Sequence, residues 1–300
     1  MTGAARQRER ILLTGANGQL GHELAPVLAA LGDVVATDRA SLDLGDADAI
    51  VRRMRDLRPT LVVNAAAYTA VDLAEKERDA AFAINARAPQ LLAEEAKRCG
   101  ALLVHYSTDY VFDGTARTPY REEAPTAPLS IYGASKLEGE RAIAASGAKA
   151  LVFRTSWVYG LRGRNFLLTI RRLAAERTEL RVVADQTGVP NWCRTLAGAT
   201  GRVLGQGLVA AVERSGLYHL SCTGDTTWHG FAQAIVRDAP LPRVVAIDTS
   251  DYPTPARRPA YGVLDTARFV HTFGFALPHW RDAFDECMAS AADPVRDDVG

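Results

Sequence analysis

The feature that most constrains this 300-residue chain is the order in which short apolar runs and helical periods alternate. Ile11-Leu12-Leu13 ends in the turn Thr14-Gly15-Ala16-Asn17-Gly18-Gln19-Leu20-Gly21, after which Leu20, Leu24, Val27, Leu28 and Leu31 recur at helical spacing. Val34 to Thr37 reads as a second strand ending at Asp38, 46–57 as a helix, and Leu61-Val62-Val63 as a third strand ending at Asn64. A long helix over 79–99, a strand over 102–106, a helical run over 135–143 and a strand over 150–154 continue the pattern. Parallel neighbours need long crossover connections, so this order predicts an α/β fold: a doubly wound parallel sheet of Rossmann type, with helices on both faces, over residues 10–156.

Beyond Trp157 the regularity loosens, with helices expected over 166–176, 194–204, 227–236, 266–269 and 280–288, and strands near 180–183 and 217–220. Segments near 190–222 are expected to return to the sheet, and the rest of 157–292 to form a smaller substrate-binding subdomain. Tyr252-Pro253-Thr254-Pro255-Ala256-Arg257-Arg258-Pro259 is too proline-rich for regular structure and reads as a functional loop. Met1 to Arg10 is polar with no apolar run behind it, and reads as a frayed leader, not a secretory signal. Residues 1–9 and 293–300 are expected to be flexible.

Composition narrows the function. Lys plus Arg and Asp plus Glu both number 35, so no basic field favours nucleic acid and a small-molecule partner is expected. Every apolar segment is interrupted by a charge well before the length of a membrane span. Cys99, Cys193, Cys222 and Cys287 are scattered without C-x-x-C spacing, which fits free thiols and a cytoplasmic location.

The glycine turn, with Gly15, Gly18 and Gly21 three apart, sits between a strand and a helix. Missing side chains let a pyrophosphate approach the backbone of Gly18, Gln19 and Leu20, where the helix N-terminus meets its charge. Asp38 ends the second strand, where a carboxylate accepts hydrogen bonds from the adenosine ribose and suits NADH. Its neighbour Arg39 could instead take a 2′-phosphate, so NADPH stays open. Asp43 and Leu44 either reach the adenine or cap the helix near Asp46. The small residues Ala65, Ala66 and Ala67 after the third strand either let a flat cofactor pass or serve a tight helix contact.

The stretch Tyr132-Gly133-Ala134-Ser135-Lys136 places a phenol and an ammonium four residues apart on one helical face, close enough for the cation to favour phenolate. Ser107, Thr108 and Asp109 stand at the end of the fourth strand, where their polar groups can face Tyr132.

With these residues in view, the chain resembles the extended short-chain dehydrogenases/reductases, and within them the dTDP-4-dehydrorhamnose reductase family. The matching segments are Thr14 to Gly21, Asn64 to Asp72, His105 to Gly114, Tyr132 to Lys136, Phe153 to Gly160, Gly216 to Leu220 and Tyr252 to Pro259. The resemblance implies reduction of the C4 ketone of dTDP-4-dehydro-L-rhamnose with NADH or NADPH. It implies Tyr132 as proton donor, Lys136 on the nicotinamide ribose, and Thr108 as the hydroxyl of the triad. It also implies that Asp109 and Trp157 contact the deoxysugar, and that Gly15, Asn17, Gly18 to Leu20, Asp38, Asp43, Leu44, Ala66, Ala67, Tyr68 and Thr69 line the dinucleotide. Arg257 and Arg258 are candidates for the sugar-nucleotide diphosphate, because a guanidinium offers several donors at once.

Related 4,6-dehydratases carry a glutamate after the Thr-Asp pair for water elimination; here that position is Tyr110, which favours simple carbonyl reduction. Ala260 to Leu264 and Asn191-Trp192-Cys193 depart from the family pattern and are expected to reshape the pocket. A reductase for another NDP-4-keto-6-deoxysugar, or a non-catalytic regulatory subunit of the same fold, are the competing readings. Some members dimerise through Mg²⁺, so a homodimer is an expectation, but the sequence assigns no ligands; Asp285 and Glu286 read first as a solvated helix face.

Overall fold

The computed structural model describes residues 8–237 and 242–292. The tails expected to be flexible lie outside the described residues at 1–7 and 293–300. Glu9 and Arg10, read as leader from their polarity, instead begin the first strand, β1 (Glu9–Thr14). The reason is tertiary: the Arg10 guanidinium reaches the Arg58 carbonyl at 2.8 Å, and its N–H meets the Thr60 hydroxyl at 3.0 Å.

Five further strands join β1 in one parallel sheet: β2 (Gly32–Thr37), β3 (Leu61–Asn64), β4 (Leu102–Thr108), β5 (Ala150–Thr155) and the segment Gly216–His219. The order across the sheet is β2, β1, β3, β4, β5, then Gly216–His219. The order therefore reverses between β1 and β3, the place in such sheets where ligands bind outside the carboxyl ends. The register brings those ends level: Thr14 pairs with Thr37 and Asn64, Asn64 with His105, and Thr108 with Thr155.

Strand alternation gives the sheet two apolar faces. Ile11, Leu13, Val63, Val104 and Phe153 belong to one cluster, shared with Leu24 and Leu28 of α1 (Gln19–Ala29) and with Leu196 and Val203 of the helix Cys193–Gly205. Leu12, Val62, Leu103 and Val152 belong to the other, shared with Ile50 and Met54 of α2 (Ala47–Leu57) and Leu92 of the helix Ala88–Cys99. The Tyr106 hydroxyl reaches Thr200 at 2.7 Å, tying the helix Cys193–Gly205 to β4.

Several expected boundaries shift for local reasons. The helix expected over 79–99 is broken at Ala83–Arg87 by one π-helical stretch, in which Asn85 is buried. The Tyr132 helix runs Ile131–Ser146, earlier than its apolar period, because the Ser130 side chain accepts from Gly133 N–H and caps it. The strand Arg243–Ile247, which sequence periodicity missed, pairs parallel with Glu179–Val183.

Burial of charge is concentrated near β5. Arg154 and Glu140 are 3% and 7% exposed and paired as a two-pronged fork at 2.9 and 2.6 Å. Removing one partner leaves the other buried and unpaired, so Glu140→Ala should cost about 3–5 kcal/mol, read as a lower urea midpoint. Arg243→Ala, which breaks the exposed pair with Glu179, should leave the midpoint almost unchanged.

Candidate active site

At the nucleotide end, Gly15 has φ +72°, and a Cβ there would lie 2.7 Å from the Ala66 backbone nitrogen. The turn after β1 and the segment after β3 therefore touch through backbone, which only glycine permits. Gly18 opens α1, and no side chain caps the first turn. Its N–H groups face the carboxyl end of the sheet, a donor set that fits a pyrophosphate. The Asn17 amide donates to Asp38 at 2.7 Å, and Ser41 donates to the other carboxylate oxygen at 2.8 Å. The Ser41 bonds hold the Asp38 carboxyl below the usual range.

Arg39 is 88% exposed and lies 3.9 Å from Asp43. Of the two readings for Asp43, helix capping falls away: Asp46 caps α2, accepting from Ala49 N–H at 3.0 Å, while Asp43 accepts from Gly45 N–H. Leu20 and Leu44 are 8% exposed and packed into the two sheet clusters, so their backbone, not their side chains, is what they can offer a cofactor. Tyr68 is held by both its backbone groups to Asn85, whose amide also donates to Ser135 on the Tyr132 helix. Asn85 was not singled out from sequence; its signal was an amide set among the small and apolar residues Ala80 to Ile84 and Ala86. Ala66, Ala67 and Tyr68 are half-buried and Thr69 is exposed, all beyond the end of β3.

At the reaction end, the Thr108 hydroxyl donates to Asp109 at 3.1 Å and accepts from Tyr110 N–H at 3.1 Å. Tyr110 meets Tyr132 edge-on, ring centroids 5.5 Å apart. Burial pushes the Tyr132 phenol up to about 12, the Thr108 hydroxyl pulling against that rise. The expected lowering by Lys136 is absent, because the lysine nitrogen faces β4: it donates to the Tyr106 carbonyl and lies 3.3 Å from His105 Nε2. Burial brings Lys136 down to about 8. Asp109 is 2% exposed, its Oδ2 lacks a hydrogen-bond partner, and burial raises it to about 7.

At the substrate end, Trp157 has φ +42°, and one indole face is covered by Trp228 at 3.5 Å and 8°. The guanidinium of Arg258 forks onto Asp72 at 2.7 and 3.1 Å and also reaches Thr254, while Arg257 is exposed. Thus Arg258 meets a carboxylate of the Asn64 to Asp72 segment, a partnership no local pattern announces. Ala260 to Leu264 lies over Asp109: a Cβ on Gly262 would fall 2.4 Å from its Oδ2. Asn191-Trp192-Cys193, expected to reshape the pocket, is instead core: all three are buried, and Asn191 bonds Ser156, Val189 and Cys222 backbone groups. Among the described residues no group of three His, Cys, Asp or Glu side chains could hold a metal ion, and no helix is long and apolar enough to cross a membrane. Asp285, weighed as a metal ligand, pairs with Arg237 at 2.7 Å.

A family model described as the RmlD substrate binding domain matches residues 9–292. A dTDP-4-dehydrorhamnose reductase of Burkholderia thailandensis is 50% identical over 291 residues, covering 93% of this chain and 98% of that protein. The chain belongs to the dTDP-4-dehydrorhamnose reductase family. The Escherichia coli K12 member is 43% identical, covering 90% of this chain and 94% of its own. A Bacillus anthracis member of the family, solved in complex with NADP, superposes with a TM-score of 0.87 at 36% identity, covering 95% of this chain and all of that one.

The raised Asp109 gives a stability signature. The native carboxyl keeps its proton to about 7 while the unfolded one releases it near its ordinary value of 3.8, so its contribution is full below that value and is lost as pH rises to about 7. Asp109→Asn should flatten this decline in a pH series of urea melts.

Proposed function

We propose that the chain is an NAD(P)H-dependent nucleotide-sugar 4-ketoreductase that converts dTDP-4-dehydro-L-rhamnose to dTDP-L-rhamnose. The observation that carries this is the placement of Thr108 and Tyr132 together at the carboxyl end of β4, in a sheet whose switch point bears an uncapped glycine turn. The family's membership supports the sugar, and Tyr110 in place of a carboxylate supports reduction over elimination.

When bound, the nicotinamide supplies the hydride. Negative charge then gathers on the C4 oxygen, and the chain's part is to receive it. Tyr132 donates its phenolic proton to that oxygen; an alkoxide is far more basic than phenolate, so a phenol near 12 still gives its proton downhill. Thr108, on turning its single hydroxyl proton from Asp109, donates a second hydrogen bond. Lys136 lies one turn behind Tyr132 and serves the nicotinamide ribose. Asp38, fixed by Asn17 and Ser41, receives the adenosine ribose of NADH, and Arg39 is the group that would meet the 2′-phosphate of NADPH. The other dinucleotide contacts come from the backbone of Gly15 to Leu20, from Asp43 and Leu44, and from Ala66 to Thr69. Trp157, stacked on Trp228 and packed against Gly188, is the indole offered to the deoxysugar, and Arg258, braced by Asp72, turns its remaining N–H groups to the diphosphate.

A second reading, a reductase of another NDP-4-keto-6-deoxysugar, is favoured only by Ala260 to Leu264, which departs from the family pattern and lies on Asp109. Purified protein should oxidise NADH or NADPH with dTDP-4-dehydro-L-rhamnose, and Tyr132→Phe should lower kcat by about 10²- to 10⁴-fold with little change in KM. Full activity in that variant would overturn the mechanism, and turnover of a different 4-keto sugar alone would select the second reading.

A further inference from the structure

Trp157 is a half-buried indole on a backbone that bulky residues rarely adopt, φ +42°. Such a conformation persists where the surroundings over-determine it. Its carbonyl accepts from Asn191 N–H at 3.1 Å, and its ring is held from both sides. Trp228 lies parallel to it, centroids 3.5 Å apart at 8°. A Cβ on Gly188 would fall 2.5 Å from Trp157 Cε2, and 2.7 and 2.8 Å from the Cζ2 and Nε1 atoms bonded to it. At the ring's rim those two neighbours would be nearer than Cε2; with Cε2 nearest, Gly188 stands over the ring plane. Trp228 fills one face, so Gly188 backs the other.

The two walls of this slot belong to one small strip. Thr226–Thr227 pairs antiparallel with Thr187–Gly188, Thr226 opposite Gly188. Trp228 then opens the helix Trp228–Ile235, which the Thr227 hydroxyl caps by accepting from Gly230 N–H at 3.0 Å. On its other edge the strip continues to the segment over Asp109. Thr187 N–H donates to the Ala260 carbonyl and Gly262 N–H to the Thr187 carbonyl, both at 2.8 Å. Gly262 in turn lies against Asp109 Oδ2. Backbone hydrogen bonds therefore fix the spacing between the indole and the Asp109 carboxyl.

We propose that Trp228 and Gly188 are positioning residues for Trp157: they clamp its two faces and leave the ring's edge, with the Nε1–H, as the surface that meets the sugar. That N–H has no hydrogen-bond partner among the described residues and is not sealed from solvent. An indole nitrogen only donates, so it suits a sugar hydroxyl or ring oxygen. The width of the slot is what sets specificity. A side chain at position 188 drives the indole from its place, and loss of the Trp228 ring frees it to turn. Either change weakens sugar binding, while Tyr132 and Thr108, which act on the ketone, stay where they are.

The proposal rests on the reductase reading, and the test separates the two. Trp228→Leu and Gly188→Ala should each raise KM for dTDP-4-dehydro-L-rhamnose about 2- to 10-fold, the range of a lost aromatic pair, with kcat and the KM for NADH or NADPH unchanged. Trp228→Phe, which keeps a flat ring, should restore most of that loss. The stacked indoles should give an exciton couplet in far-ultraviolet circular dichroism that vanishes in both Trp157→Phe and Trp228→Leu. A couplet that survived either substitution would overturn the clamp. So would an unmoved sugar KM in both folded variants, or a loss carried by kcat alone. A parent that turned over no 4-keto sugar would overturn the reductase reading and the sugar-facing role together, whereas an active parent with unmoved variants would overturn the proposal alone.

Discussion

Everything at the candidate site depends on parallel pairing in register. Because β1, β3 and β4 run the same way and Thr14, Asn64 and His105 share one row, their carboxyl ends open onto one edge. The glycine turn, the Ala66 segment and the Thr108-Asp109 pair are the continuations of those strands, so they meet without any one of them encoding the meeting. Backbone contact at Gly15 and Ala66 completes the edge, and it tolerates no side chain at position 15. A one-residue slip of β3 against β1 would turn Asn64 to the other face and break its contact with His105.

Against this frame, polar groups are buried where they are fully engaged, with a few exceptions. Arg154 and Glu140 neutralise each other near β5, and Glu122 accepts from His219 N–H beside them. The exceptions cluster partly at the reaction end: Asp109 Oδ2 and the Ser107 hydroxyl are buried without partners. Buried polar atoms left unmatched cost stability, and their retention beside Tyr132 is consistent with a site shaped for a ligand's oxygens. Trp157, at positive φ and stacked on Trp228, adds strain at the same pocket.

Much of this was legible in the chain. The strand and helix order, the glycine turn, Asp38 at the end of β2 and the Tyr132-Lys136 pair each follow from local pattern, and the sheet places them on one side. What stayed hidden shares one cause: a side chain's partner was far away in sequence. The side chains of Leu20 and Leu44 are claimed by the core, which leaves their backbone to face a cofactor. Asn191-Trp192-Cys193 looked like pocket lining and proved interior, because helix Cys193–Gly205 packs back on the sheet. Arg258, a candidate for the diphosphate, is forked onto Asp72, 186 residues away.

The sequence by itself determined the sheet's parallel sense, because that rests on periodicity, and the family, because the segments that carry the resemblance are short and local. Only the tertiary structure decided which way their side chains face. Lys136 stands four residues from Tyr132 on the helix, yet it turns to His105 and the Tyr106 carbonyl, because burial makes a nearby hydrogen-bond acceptor or donor more valuable than proximity along the chain.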